Sequence, residues 1–171
     1  GSSPSSVTIP DSVTTIGKDT FFLCTSLTSV ILPCGITSIG EAAFARCTSL
    51  ASVVIPDSVN SFGKYAFLGC TALASISIPS SVTSLGDYAF YSCTQLTDLA
   101  LPQGTQTIGG NAFNSCTALS SIFIPDTVTT IGTDAFLGCS GLTITGMAGS
   151  YAQTYAAANA IAFNALYLTA K

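Results

Sequence analysis

The sequence predicts a solenoid of six 23-residue coils with a C-terminal cap, and three observations predict it. The first is a set of columns in register. Pro10, Pro33, Pro56, Pro79, Pro102 and Pro125 share one period, as do Phe21, Phe44, Phe67, Phe90, Phe113 and Phe136. Gly17, Gly40, Gly63, Gly86, Gly109 and Gly132 keep the same spacing, and so do the cysteines from Cys24 to Cys139 and the leucines from Leu27 to Leu142. The second is that no insertion breaks the register between Val7 and Leu142, which marks stacked units that bury their apolar sides against one another. The third is the pattern inside each unit, an apolar alternation followed by turn residues. Such a stack suits recognition better than catalysis.

The unit is read most cleanly from its third copy. Leu50-Ala-Ser-Val-Val-Ile-Pro56 alternates as a strand with Leu50, Val53 and Ile55 inward, and the proline ends it. Every coil turns the same way, so these strands pair in parallel, coil on coil. Residues 57–63 cover the opposite wall with Val59 and Phe62 inward and Gly63 where the backbone turns. Residues 64–70 then set Ala66 and Phe67 inward on a short helical or 3₁₀ turn, and Cys70 closes the coil.

Both ends differ from this unit. Residues 1–6 are a small polar lead in which Gly1 reads as a tag residue, with neither the charged start nor the apolar stretch of a signal peptide. The first repeat begins at Val7 with no amphipathic segment to cover the end of the stack, so preceding sequence or another segment is expected to cap it. After Leu142 the register breaks, and Ser150 is suited to start an alanine-rich helix that ends at Asn159, before a last strand over 161–163. The expected organisation is a lead over 1–6, repeats over 7–144 and a cap over 145–171 that forms a true terminus.

Composition narrows the function classes. Charged residues make up only 7% of the chain and mean hydropathy is +0.61, values that would ordinarily suggest a membrane-embedded protein. A Ser, Thr, Gly or Pro interrupts every few positions, however, so no apolar run approaches the roughly 18 residues of a membrane span. The net charge is −4 and the cations are Lys18, Arg46, Lys64 and Lys171, too few for a surface that tracks phosphates. Nucleic acid and anionic membrane surfaces are therefore poor partners.

Seven cysteines accompany no histidine and no Cys-x-x-Cys pair, so structural zinc has no ligand set. Adjacent coils about 4.8 Å apart fall within disulfide reach, but stacked side chains point in parallel, which predicts free, buried thiols for the periodic column. Cys34 stands out of register after Pro33 and is expected to be exposed and reactive.

The consensus Leu-x-x-Ile-x-Ile-Pro-x-x-Val-x-x-Ile-Gly-x-x-Ala-Phe-x-x-Cys over 7–144 resembles the repeat of the BspA-like leucine-rich repeat family. The resemblance implies a leucine-rich repeat solenoid, curved and right-handed, with a parallel β-sheet on the concave face. It implies short strands or 3₁₀ and helical turns on the convex side and a C-terminal helix-strand cap. It also implies an extracellular or cell-surface protein that contacts protein or cell-surface ligands, host extracellular matrix among them. Thr20 and Thr105 depart from the consensus Ala and Val and are expected to be local packing defects.

No residue set reads as catalytic. Ser and Thr lack a base nearby in sequence, and Asp11, Asp57 and Asp126 alternate with Cys34, Ser80 and Gln103 after the prolines, which fits solvated turns better than a calcium column. The phenylalanine column could be imagined as a stacking platform for sugars or bases, but its register with inward Ala and Cys makes it core. Tyr65, Tyr88 and Tyr91 lie on the outer wall as a secondary surface. The expected ligand-binding positions are the outward residues of the concave sheet: Thr8, Ser29, Ile31, Ser52, Val54, Ser75, Ser77, Asp98, Ala100, Ser121 and Phe123, beside Ser6. Ile31, Val54 and Phe123 carry the argument, because apolar groups on an exposed sheet mark a contact surface, although strand propensity also accounts for them. The expectation is a non-catalytic recognition domain without cofactor or metal, or else a structural spacer with no ligand of its own.

Overall fold

The structure, a computed structural model, describes residues 4–167. Gly1 and Lys171 lie outside the described residues. The first four coils contribute β1 (Ser6–Thr8), β2 (Thr15–Ile16), β3 (Ser29–Ile31), β4 (Ser38–Ile39), β5 (Ser61–Phe62) and β6 (Ser84–Leu85). Beyond them come β7 (Asp98–Ala100), β8 (Thr107–Ile108), β9 (Ser121–Phe123), β10 (Thr130–Ile131), β11 (Thr143–Met147), helix α1 (Tyr151–Ala158) and β12 (Ala162–Leu166). All strand pairs are parallel and join neighbouring coils, which makes the molecule a parallel β-solenoid of about seven turns.

The continuous sheet is not the one the strand pattern favours. Six two-residue strands on the second wall pair without a break in the order β10-β8-β6-β5-β4-β2. On the first wall the alternation is as expected, with Leu50, Val53 and Ile55 buried and Ser52 and Val54 exposed, yet pairing is confined to β1-β3 at one end and β7-β9-β11-β12 at the other. Coils three and four are buried on their inner side but carry no strand there. At this level the second-wall position holds Phe62, where its neighbours hold Ile39 and Leu85. Its ring packs edge-on against both Phe67 and Phe90, at 5.7 and 6.2 Å. The extra volume offers a physical reason for the opened first wall.

The third wall is built of short turns, as expected, that do not run on into a continuous helix, and the cause lies in its dihedrals. Two residues four apart in each coil take positive φ: Asp19 and Leu23, Ala42 and Arg46, Tyr65 and Gly69, Tyr88 and Ser92, Asn111 and Ser115, Asp134 and Gly138. Left-handed residues at both ends of the segment break any right-handed helical run. The wall is instead closed by turns within the coil, such as Cys47 N–H to Phe44 O at 3.2 Å, and by bonds to the next coil, such as Phe44 N–H to Ala66 O at 2.8 Å.

The glycine column has a different cause from the one its turn position suggests. None of these glycines has positive φ; what they allow is close approach of successive coils. A Cβ on Gly40, Gly63, Gly86, Gly109 or Gly132 would lie within 2.4–2.9 Å of backbone atoms of the preceding coil. Gly17, which has no coil before it among the described residues, would meet only Thr20 Oγ1 at 3.6 Å.

Inside the stack Phe44, Phe67, Phe90 and Phe113 are fully buried, and the ladder from Phe21 to Phe136 stacks its rings 5.1–5.4 Å apart. Each such contact contributes about 0.5–1.5 kcal/mol beyond the area it buries. The thiols are all free, as their parallel arrangement requires, and from Cys47 to Cys139 they are buried; Cys24 in the first coil is half-buried. They also act as donors. Cys47, Cys70, Cys93, Cys116 and Cys139 each donate Sγ–H to the phenylalanine carbonyl of the preceding coil at 3.1–3.3 Å. A small apolar side chain that also satisfies a carbonyl lone pair suits this column better than alanine or valine would.

The departures from consensus differ in cost. Thr20 is exposed and donates to Gly17 O at 2.9 Å. Thr105 is fully buried and its hydroxyl has no partner among the described residues. At the C-terminal end Ser150 caps α1 by accepting from Gln153 N–H at 3.4 Å, and Asn159 ends the helix. Ala152 and Ala156 are buried, and Tyr155 sets its ring edge-on to Phe136 at 6.0 Å. The last strand begins one residue later and runs three residues further than the sequence suggests.

Candidate functional site

The first wall presents its outward residues in two columns, because alternate side chains of a strand leave on opposite faces. One column runs through Ser6, Ser29, Ser52, Ser75, Asp98 and Ser121, all exposed. The other runs through Thr8, Ile31, Val54, Ser77, Ala100 and Phe123, exposed except for half-buried Phe123. Strand pairing brings Thr8 beside Ile31, Asp98 beside Ser121 and Ala100 beside Phe123. Ser52, Val54, Ser75 and Ser77 sit in the unpaired middle and are not joined to these groups by ladder bonds.

The face is small-residued and nearly uncharged, with Asp98 its single ionisable group, in contact with Thr97 Oγ1 at 3.2 Å. Its apolar relief is Ile31 at 64% and Val54 at 81% exposed, on adjacent coils. β11 and β12 extend it with Thr143 beside Ser121, Thr145 beside Phe123, and then Ala162 and Asn164. Sequence reading missed this extension because the 23-residue register ends at Leu142; the alternation Thr143-Ile144-Thr145 was the available signal.

Two other surfaces gather polar or aromatic groups. On the third wall Tyr65 and Tyr88 rings lie 5.1 Å apart and Tyr88 and Tyr91 5.7 Å apart, with Lys64 Nζ 5.1 Å from the Tyr65 centroid. Alongside them the charges alternate up the stack as Lys18, Glu41, Lys64 and Asp87, pairing at 2.9 and 3.8 Å. The hydrogen bond to Glu41 raises the Lys18 pKa. These exposed pairs add little stability. The second surface is a groove of about 570 Å³ between the last coil and α1. Among the described residues no three metal-ligating side chains converge. The buried thiols are poor nucleophiles, since burial pushes Cys47 and Cys116 up to about 12 and Cys139 to about 11.

A coil-on-coil parallel stack with a small-residued, nearly uncharged outer face defines a repeat scaffold of the leucine-rich class. The chain belongs to the BspA type leucine-rich repeat family, whose sequence pattern matches residues 1–93 with six copies. It is similar to the leucine-rich repeat protein of T. pallidum, at 33% identity and a TM-score of 0.80, over 83% of this chain and 69% of that one. A leucine-rich repeat protein of Bacteroides ovatus is 32% identical with a TM-score of 0.77, covering 83% of this chain and 37% of that one. A leucine-rich cell surface protein of Faecalibacterium prausnitzii is 26% identical with a TM-score of 0.58, over 94% of this chain and 63% of that one. The chain thus spans from about two fifths to about two thirds of the length of these relatives. No curated protein sequence matches it significantly. The fold is one that suits protein–protein interaction.

Proposed function

We propose that the chain is a non-catalytic recognition domain of a secreted or surface-exposed protein, engaging a protein partner through the outward columns of the first wall. The observation that carries this reading is the exposure of Ile31 and Val54 on adjacent coils of a face otherwise made mostly of Ser, Thr and Ala. Large apolar groups ringed by small hydroxyl residues form the dry centre and wet rim typical of a contact surface. Thr8, Ser29, Ser52, Ser75 and Ser77 form the rim on this reading, with Asp98, Ala100, Ser121 and Phe123 at the far end. The lead at 1–6, the repeats at 7–144 and the cap at 145–171 belong to the same proposal, and the Faecalibacterium cell surface relative supports the location.

The test is binding of the purified chain to an array of extracellular matrix proteins, beside the Ile31→Asp/Val54→Asp variant. Phe123 is left unchanged because it is half-buried, and a carboxylate there would disturb packing. Wild-type binding that the variant loses, with unchanged circular dichroism, supports the assignment. Equal binding by both removes the first wall from consideration, and silence from both favours a spacer without its own ligand.

A further inference from the structure

The backbone-to-backbone hydrogen bonds that join coils along the third wall point one way. At each of five junctions three N–H groups of one coil donate to carbonyls of the next, as in Asp19, Phe21 and Leu23 to Glu41, Ala43 and Ala45, at 2.6–2.9 Å throughout. The same positions repeat through to Asn111, Phe113 and Ser115, which donate to Thr133, Ala135 and Leu137. An ordinary strand alternates its donors and acceptors and has little net dipole. This wall has three aligned files instead, with open donors at its C-terminal end.

Those donors are the N–H groups of Asp134, Phe136 and Gly138, for which no following coil supplies carbonyls among the described residues. They face the groove of about 570 Å³ bordered by Leu137, Gly141, Tyr155 and Ile161. Beside the third N–H, that of Phe136, lies the Tyr155 phenol: burial raises its pKa and the Phe136 amide acts in the opposite sense. The Asp134 and Gly138 N–H groups make no backbone hydrogen bond among the described residues, and Leu137 between them is 59% exposed. β11, β12 and α1 cap the first wall and the core, and among the described residues none pairs with this edge.

We infer that the groove receives an extended, uncharged peptide segment of a partner protein, laid against the last coil as a further turn of the third wall. Its alternate carbonyls would accept from Asp134 and Gly138, continuing two of the three files, while an apolar side chain covers Leu137. Open N–H groups would also suit an anion, but the Asp134 carboxylate at the same edge opposes one, which selects peptide carbonyls over a carboxylate. Sheet edges recruit strands by the same rule.

The probe is the end-capped peptide Gly-Asn-Ala-Phe-Leu-Ser, the sequence of residues 110–115 with Asn114→Leu so that an apolar side chain lies over Leu137; the carbonyls of Gly110, Ala112 and Asn114 take these bonds inside the stack. Titrated into the isotopically labelled full chain, it is expected to shift the Asp134 and Gly138 amide resonances saturably. Leu137→Asp, at an exposed position, is expected to weaken binding about tenfold through lost apolar contact. Tyr155→Phe, which removes the phenol beside the Phe136 N–H, is expected to tighten it by about 2- to 10-fold, an effect a merely structural tyrosine would not produce. The inference is overturned by an absence of saturable shifts at these amides, by equal affinity in Leu137→Asp, or by tighter binding of an Asp-substituted peptide. Protection of both amides from exchange in the free protein also overturns it, since the edge would then already be covered.

Discussion

Gly109→Ala tests whether the glycine column exists for close coil contact. A Cβ there would lie 2.5 Å from Asp87 N, 2.6 Å from Gly86 C and 2.8 Å from Asp87 Cα. All three are backbone atoms, so no side chain can rotate away, and the coils must part by about 1 Å to restore ordinary contact. That junction is also bridged by Gly109 N–H to Leu85 O at 2.9 Å, Tyr88 N–H to Gly110 O at 2.9 Å and Phe90 N–H to Ala112 O at 2.8 Å. Overpacking costs about 1–3 kcal/mol and weakened hydrogen bonds about 0.5–1.5 kcal/mol each, against a gain of about 0.4–1 kcal/mol from a stiffer unfolded chain. The net expectation is a loss of about 2–3 kcal/mol, or a fall in Tm of roughly 4–12 °C for a chain of this size. Because neighbouring coils stabilise one another, a break in mid-stack is also expected to broaden the transition. Gly17→Ala is the control: its nearest neighbour would be 3.6 Å away and its φ is not positive, so Tm is expected to hold or rise slightly. Thermal unfolding followed by far-ultraviolet circular dichroism reads both. A similar shift in the two variants, or a higher Tm for Gly109→Ala, refutes the close-contact argument.

Thr105→Val replaces a buried hydroxyl that has no partner with the residue other coils carry, and is expected to raise stability by about 1–3 kcal/mol in urea unfolding. Native-state titration with a thiol reagent is expected to label Cys34 quickly and Cys24 slowly, leaving the five buried thiols until the chain unfolds. Those thiols also set an alkaline limit. Their folded pKa values lie above that of an unfolded thiol, so the neutral form is favoured by folding; the contribution is whole below about pH 8.5 and is lost as pH climbs toward the raised values near 11–12, as a Tm series from pH 7 to 11 will show. Phe62→Ile is expected to let the first wall close over coils three and four, raising amide exchange protection at Val54 and Ser77, and unchanged protection there would separate the gap from Phe62 volume.

Periodicity alone determined the stack, its inward columns and the free state of the thiols, because each of these depends on which way a side chain faces. That direction is written locally: Leu50, Val53 and Ile55 alternate with Ser52 and Val54 whatever the neighbouring coil does. The outward residues of the candidate face were legible for the same reason. What only the tertiary structure decided concerns the spacing and direction of backbone groups between coils. The glycines look like turn residues in one unit and become contact residues only when the preceding backbone is set against them. The two left-handed positions are filled by Asp, Ala, Tyr and Asn at the first and by Leu, Arg, Gly and Ser at the second, so no single residue type announces the aligned hydrogen-bond files. The gap in the first wall, the orphaned hydroxyl of Thr105 and the open donors at Asp134 and Gly138 have the same origin. A hydrogen bond forms or fails over a few tenths of an ångström, and that distance is set by the summed volumes of several coils rather than by any one of them.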